Sequence, residues 1–300
     1  MKRIVSVSLG SSKRDHRVEV EFLGEKVSIE RIGTNGDLEK AIELVRSLDG
    51  QVDAFGMGGI DLYLTDGKKK FMIKDALRIA RAARKTPMVD GGGLKNTLER
   101  RVVRYLEEQL KLNLRGKRVL MVSGVDRFGM AEAFAQAGCQ MMFGDLIFAL
   151  GAPVPIRSLR SLRLLANIIL PVVTRLPFTF LYPTGARQDQ NTPKYPRFFG
   201  LAEIIAGDFL YIKKYMPADL SGKIIVTNTV TEADIGELKS RGLELLATST
   251  PEFSGRSFGT NVMEALLVSF ARKRPEELTE QDYLDLLDRL RFEPRVVRFK

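Results

Sequence analysis

GKRVLMVSGVDRFGMAEAFAQAGCQMMFGD, residues 116–145, decides the fold. It predicts a strand, a tight turn, a helix and a second strand. The apolar run 119–122 has the length of a buried parallel strand, and Ser123 and Gly124 break it where a helix must begin. Met130, Ala131, Phe134 and Ala137 recur at helical spacing, and Gly138 stands where a helix C-terminus favours glycine. The next apolar run, 141–143, leads to Asp145, 21 residues after Gly124. A dinucleotide-binding fold places a carboxylate at about that separation, against the ribose hydroxyls. The turn keeps Gly124 and Gly129 but lacks the third glycine of the usual fingerprint. Asp126 inside it would repel a phosphate, and Arg127 beside it would offset that charge. Two readings stay open: a turn that holds a dinucleotide, or a βαβ turn with a structural role alone.

Outward from this unit, the chain alternates strand and helix in both directions. Toward the N-terminus, 4–9 predicts a strand, and VEVEF and KVSIERI alternate around Leu23 and Gly24 as a hairpin with one buried face. Asp37 predicts the cap of a helix carrying Leu38, Ala41, Ile42, Val45 and Leu48. VDAFGMGG predicts another strand, 61–73 a second hairpin, 74–84 a helix, 88–93 a strand end rich in glycine, and 94–110 a long helix. Toward the C-terminus, 146–200 is irregular, with a Leu- and Arg-rich helical stretch. It reads as an insertion that packs on the core, or as a lid or oligomer interface. EIIAGD, KIIVTNT and LELLATST then resume the strands, with helices between them. At 250–261 a loop enters a helix, where Gly255, Arg256 and Gly259 either cradle an anion or serve turn geometry alone.

The expectation is therefore an α/β protein of two domains: an N-terminal α/β substrate-binding domain over 1–110, and a Rossmann-like, doubly wound parallel sheet over 111–275 with its insertion at 146–200. Residues 276–300, opened by Thr279, form a peripheral helical cap and tail.

Composition narrows the function. Three hundred residues and 44% hydrophobic content suit two packed cores. The net charge of +10 is spread along the chain without a basic helix interleaved with aromatics, which argues against a nucleic-acid partner and for attraction of small anionic metabolites. The single Cys139 excludes an internal disulfide or a multi-cysteine metal site, and its place beside a core strand marks a packed thiol. No metal is expected. The opening strand leaves no room for a leader, and the most apolar segment, 159–181, is broken by arginines and prolines. A cytoplasmic protein with no membrane partner is the expectation, with a homo-oligomer left open. His16, in the polar turn SSKRDH, is expected to face solvent.

VDGGGLKNTLE, a helix, LNLRGKRVLMVSG and MAEAFAQAG, spanning 86–138, resemble in order and spacing the central segment of the shikimate and quinate dehydrogenase family. In that family an Asn-Thr-Asp-Gly stretch carries the catalytic aspartate, and Asp90 matches it. The resemblance implies that Ser6, Ser8 and Ser11 in SVSLGSSKRDH bind the substrate carboxylate. It implies further that Lys74 of FMIKDA is the general acid/base, with Asp90 orienting the hydroxyl. The chain departs from the family motif that closes on the catalytic lysine, since its Asn, Thr and Pro are absent and only 16 residues separate Lys74 from Asp90.

The implied activity is an NAD(P)-dependent oxidoreductase that moves a hydride between a nicotinamide cofactor and a ring alcohol of a small anionic hydroxy acid. The cofactor would lie on Ser123, Gly124, Arg127, Phe128 and Gly129, with Asp145 on the ribose favouring NAD over NADP. Two alternatives remain: a metabolite- or nucleotide-binding protein without catalysis, and a transferase or lyase that uses Arg127 and Arg256 to clamp a phosphorylated ligand.

Overall fold

The computed structural model describes residues 1–66, 68–178, 191–253, 256–257, 259–271 and 273–299, with the backbone alone considered at 252–253 and 256–257. The first unit begins with β1 (Lys2–Ser8), β2 (His16–Phe22) and β3 (Glu25–Gly33), followed by α1 (Leu38–Leu48) and β4 (Ala54–Gly58). A small hairpin, β5 (Tyr63–Thr65) and β6 (Lys70–Met72), precedes α2 (Lys74–Ala80), β7 (Met88–Val89) and α3 (Gly92–Glu108). Its sheet has the order β2-β3-β1-β4-β7, parallel except for the β2–β3 hairpin. Leu23 and Gly24, at φ 52° and 78°, make the two-residue turn whose twist suits a hairpin. Asp37 caps α1 by accepting from Lys40 N at 2.9 Å, as its position ahead of the amphipathic run predicts.

The second unit holds β8 (Arg118–Met121), α4 (Phe128–Gln136), β9 (Gln140–Phe143), a π-helical turn at Asp145–Ala149, α5 (Leu159–Val173) and α6 (Pro196–Leu201). It continues with β10 (Ile204–Ala206), α7 (Phe209–Tyr215), β11 (Ile224–Thr227), α8 (Glu232–Ser240) and β12 (Leu245–Thr248). A short hairpin follows, β13 (Glu252–Phe253) and β14 (Arg256–Ser257), then α9 (Thr260–Phe270), α10 (Glu280–Arg289) and β15 (Arg295–Arg298). The sheet order is β15-β12-β11-β10-β8-β9, parallel apart from the edge strand β15. Apolar clusters cover both faces of each sheet, which is why these strands read as continuous apolar runs rather than alternating ones.

The first unit is discontinuous in sequence. Val262, Met263, Leu266 and Leu267 of α9 and Tyr283, Leu286 and Leu287 of α10 are buried with Ile4, Ile29, Ala54, Leu94 and Leu98. Helical periodicity predicts a buried face but not the sheet it meets, so placing α9 in the second domain and α10 as a peripheral cap is corrected here. Each such side chain contributes about 1.5–3 kcal/mol on burial, enough to tie the C-terminal helices into the first core. Glycines make the approach feasible. A Cβ at Gly56 would stand 2.9 Å from Asn261 O, and one at Gly58 would stand 3.2 Å from Asn261 Nδ2. Only β15 returns to the second sheet, pairing Arg295–Arg298 with Leu245–Thr248.

Candidate functional site in the cleft between the sheets

In each sheet the chain changes direction beside its first strand: between β1 and β4 in one, and between β8 and β10 in the other. Open α/β sheets leave a crevice beyond the carboxyl ends of the strands at such points. The segments that leave those ends here, 58–61 and 90 from the first unit and 126–127 and 208–211 from the second, line one chamber of about 170 Å³. A second chamber of about 130 Å³, lined by Ser6, Ser8, Arg14, His16, Arg31 and Thr229, shares Gly58, Gly59, Leu210, Gly259 and Asn261 with it.

The first chamber is rich in acid. Lys95, on the first turn of α3, sets its Nζ 2.8 Å from Asp126 Oδ1 and 3.7 Å from Asp61 Oδ2. Asp61 and Asp126 compete for that cation, and the two carboxyls diverge as a result. Burial pushes Asp61 up to about 7, with Asp126 and Asp90 adding to the rise and Lys95 opposing it. Burial also disfavours a charged Asp126, but Lys95 and Arg127 outweigh it and hold that carboxyl well below its ordinary range. Lys95 itself keeps its proton: burial and Arg127 act against the charge, and Asp126 and Asp61 overcome them.

Asp90 lines the chamber, with Oδ2 accepting from Leu62 N at 2.5 Å and Oδ1 from Gly92 N at 2.8 Å. It thereby fixes the loop after β4 to the start of α3. Beneath it, Glu264 of α9 is buried, and its Oε1 accepts from Tyr283 Oη at 2.5 Å. Burial, then the neighbouring Asp90, pushes Glu264 up to about 8, against bonds from Tyr283 and the backbone of Gly91 and Gly93.

The second chamber is basic. Arg31 of β3 donates through Nη1 to Asp15 Oδ1 at 2.7 Å and Ser11 O at 3.0 Å, and through Nη2 to Ser8 Oγ at 2.9 Å. Ser6 Oγ accepts from Asn261 Nδ2 at 2.8 Å. Ser6 and Ser8 both line this chamber. Ser11 does not, because its hydroxyl caps the short helical turn Ser12–Arg14. His16, expected to face solvent, is half-buried and lines this chamber.

Other expected site residues are corrected. Lys74 is exposed at the start of α2 and lines neither chamber. A cleft lysine exists, but Lys95 supplies it from α3. Arg127 is 6% exposed: Nη1 donates to Glu99 Oε1 at 3.0 Å and Nη2 to Asp208 Oδ2 at 2.8 Å, while Nε, 3.2 Å from Asp126 Oδ2, is paired by charge without a hydrogen bond. It ties α3 to two turns of the second sheet, and the carboxylates of Glu99, Asp126 and Asp208 around it neutralise its charge and repel a phosphate. Phe128 is a core side chain with the Arg163 guanidinium over its ring at 5.2 Å. Gly129 lets α3 and α4 approach, since a Cβ there would stand 2.6 Å from Asn96 Oδ1.

The turn after β8 does not fit a dinucleotide. Asp145 folds back onto it and accepts from Gly124 N and Val125 N, both at 3.0 Å, so the backbone donors meant for a pyrophosphate are already used. Burial pushes Asp145 up to about 6 although those two bonds oppose the rise. Leu162 of α5 and Phe143 lie 2.9 and 2.8 Å from where a Cβ on Gly124 would be, so the turn is also covered, and Ser123 is half-buried beside it. Asp145 is thus a cap on the turn rather than a ribose acceptor. Of the loop at 250–261, Gly255 lies outside the described residues, Arg256 is described by its backbone alone, and Gly259 lines both chambers at the start of α9. Cys139 donates to Leu114 O at 3.2 Å, and burial pushes its thiol up to about 12, as suits a packed thiol.

Lys95, Asp61, Glu264 and Asn261 escaped the sequence reading. Asp61 and Lys95 flank glycine-rich strand ends, a signal that was present. Glu264 lies in an apolar helix, where a lone carboxyl signals an internal partner.

No curated protein sequence matches this one. Among solved structures, a galactofuranose-binding protein is similar at 13% identity and TM-score 0.37, over 97% of this chain and 99% of the other. An arabinose-binding protein from Geobacillus stearothermophilus is similar at 10% identity and TM-score 0.44, over 99% and 96%. The NAD-dependent malic enzyme of Thermotoga maritima is similar at 13% identity and TM-score 0.36, over 96% and 84%. Residues 3–90 match the domain of unknown function DUF8753. Residues 93–299, more than half of the chain, match the domain of unknown function DUF8754, and the protein belongs to that family.

Proposed function

We propose that the cleft binds a small hydroxylated carboxylic acid and performs general acid–base chemistry at one of its hydroxyls. The observation that carries this reading is the polarity of the cleft. Asp61, Asp90, Asp126 and Asp208 face Lys95 and Arg127 in one chamber, while Arg14, His16 and Arg31 line the other. The acidic chamber accepts from hydroxyls, and the basic one takes the carboxylate. Asp61, pushed up to about 7, stands where a group can both give and take a proton near neutral pH. Lys95 keeps its charge and stabilises an oxyanion as it forms. Asp90 holds the loop after β4 that carries Asp61.

This reading keeps the substrate class implied by the resemblance and moves the acid/base role from Lys74 to Asp61, with Lys95 as the charged neighbour. Hydride transfer requires a nicotinamide cofactor, and the capped turn at Gly124 speaks against one bound there. Proton-transfer chemistry of the lyase or isomerase kind fits the residues better.

A thermal-shift screen of hydroxy acids, quinate and shikimate among them, with NAD and NADP in parallel, tests the reading. Stabilisation of the wild type by a hydroxy acid, absent in Lys95→Met and Arg31→Met, is expected. Stabilisation by NAD alone would return the chain to the dehydrogenase reading.

A further inference from the structure

We infer that the outer face of α5 docks on an anionic lipid surface. α5 is apolar on two opposite sides. Its inner side, Leu162, Ala166 and Leu170, is buried against the rest of the protein. Its outer side carries Leu164, Ile168 and Val172 at helical spacing of four, exposed to 64, 65 and 62%, with Leu176 just beyond. An amphipathic helix with only a core to cover would place polar groups there. Seven of the ten large hydrophobic residues exposed among the described residues fall in 150–201, so the exposure is concentrated.

The charge around the stripe selects the partner. Arg157 and Arg160 stand at one end and Arg175 at the other, all exposed. Between residues 146 and 188 the sequence contains no Asp or Glu, and from 146 to 201 it holds seven basic residues and one acidic, against +10 for the whole chain. An apolar ridge with arginine ends and no acid matches what an interfacial helix offers to anionic headgroups. A second copy would set three further arginines against these. An acidic protein would need to supply a groove, because side chains exposed beyond 60% stand proud of the surface instead of lining one.

The helix is held firmly behind that face. Arg163 donates to Glu132 Oε1 at 2.9 Å in the second unit and to Asp66 O at 3.0 Å in the first, so α5 bridges both. No helix among the described residues is long and apolar enough to cross a membrane, and docking on the surface requires none.

Flotation of the full chain with vesicles of phosphatidylcholine alone, and of phosphatidylcholine with phosphatidylglycerol, tests the inference. The wild type is expected to float with the anionic vesicles and to be released as salt rises. Ile168→Glu is expected to abolish flotation without changing Tm, and Arg160→Gln and Arg175→Gln each to weaken it about fivefold. Equal recovery with neutral and anionic vesicles, or flotation unchanged in Ile168→Glu, would overturn it. So would a wild-type dimer that Ile168→Glu dissociates, since that assigns the stripe to a second copy.

Discussion

Asp145→Ala removes the acceptor shared by Gly124 N and Val125 N, both 3.0 Å from the carboxylate. Hydrogen bonds to a charged group are worth about 1.5–3 kcal/mol each, so the gross loss is about 3–6 kcal/mol. Burial already works against this carboxylate, as its rise to about 6 records. Water admitted beside the shorter side chain recovers part of the bonding. A net cost of about 2–4 kcal/mol follows, which lowers the Tm of a chain this long by roughly 3–6 °C. Differential scanning calorimetry at pH 7 measures it.

Asp145→Asn adds a sign test. The native carboxyl lies above its unfolded value of 3.8, so its stabilising contribution is complete below that value and is lost as pH rises through about 6. Wild-type stability must therefore fall relative to Asp145→Asn between about pH 4 and pH 7. A wild type that gains on the Asn variant over that range, or an Ala variant that melts with the wild type, would refute the account of Asp145 as the turn's buried cap.

Lys95→Met removes the cation that opposes the rise of Asp61, so the Asp61 carboxyl should titrate still higher than about 7; carboxyl-carbon NMR reads this directly. Gly93→Ala places a Cβ 2.4 Å from Glu264 Oε1 and 2.6 Å from Tyr283 Oη, and the overpacking should cost about 1–3 kcal/mol in urea denaturation. Glu264 lies near 8 in the native state against an ordinary 4.5, so its contribution is lost as pH rises through about 8, and Glu264→Gln should gain on the wild type between about pH 4.5 and pH 8 and level off beyond. Arg127→Met strands Glu99 and Asp208 without their cation and should cost about 3–5 kcal/mol by the same assay.

The fold was legible because its signals are local. The apolar runs of β8 and β9, the glycine that ends α4 and the cap at Asp37 each depend on neighbours within a few residues. The return of α9 to the first sheet was not legible, because it depends on Gly56 and Gly58 leaving room for Asn261 about two hundred residues later. The site shows the same division. Asp90 follows β7, and Ser6 and Ser8 lie at the carboxyl end of β1, so the local pattern alone places all three beside the cleft. The spacing of Asp145 from Gly124 was read correctly as one structural unit, but its direction was not: a carboxylate at that distance reaches a ribose or folds back on the turn, and Leu162 over Gly124 goes with the second. Lys74 and Lys95 both lie near a helix start, and only the tertiary arrangement puts Lys95 against Asp61 and Asp126.

The most direct test of the central claim is titration calorimetry of a hydroxy acid into the wild type and Asp61→Asn, each in two buffers of different ionisation enthalpy. The account predicts binding to the wild type with proton exchange near pH 7, and binding to Asp61→Asn without it. Proton exchange that persists unchanged in Asp61→Asn, or a folded wild type that binds no hydroxy acid, would contradict it.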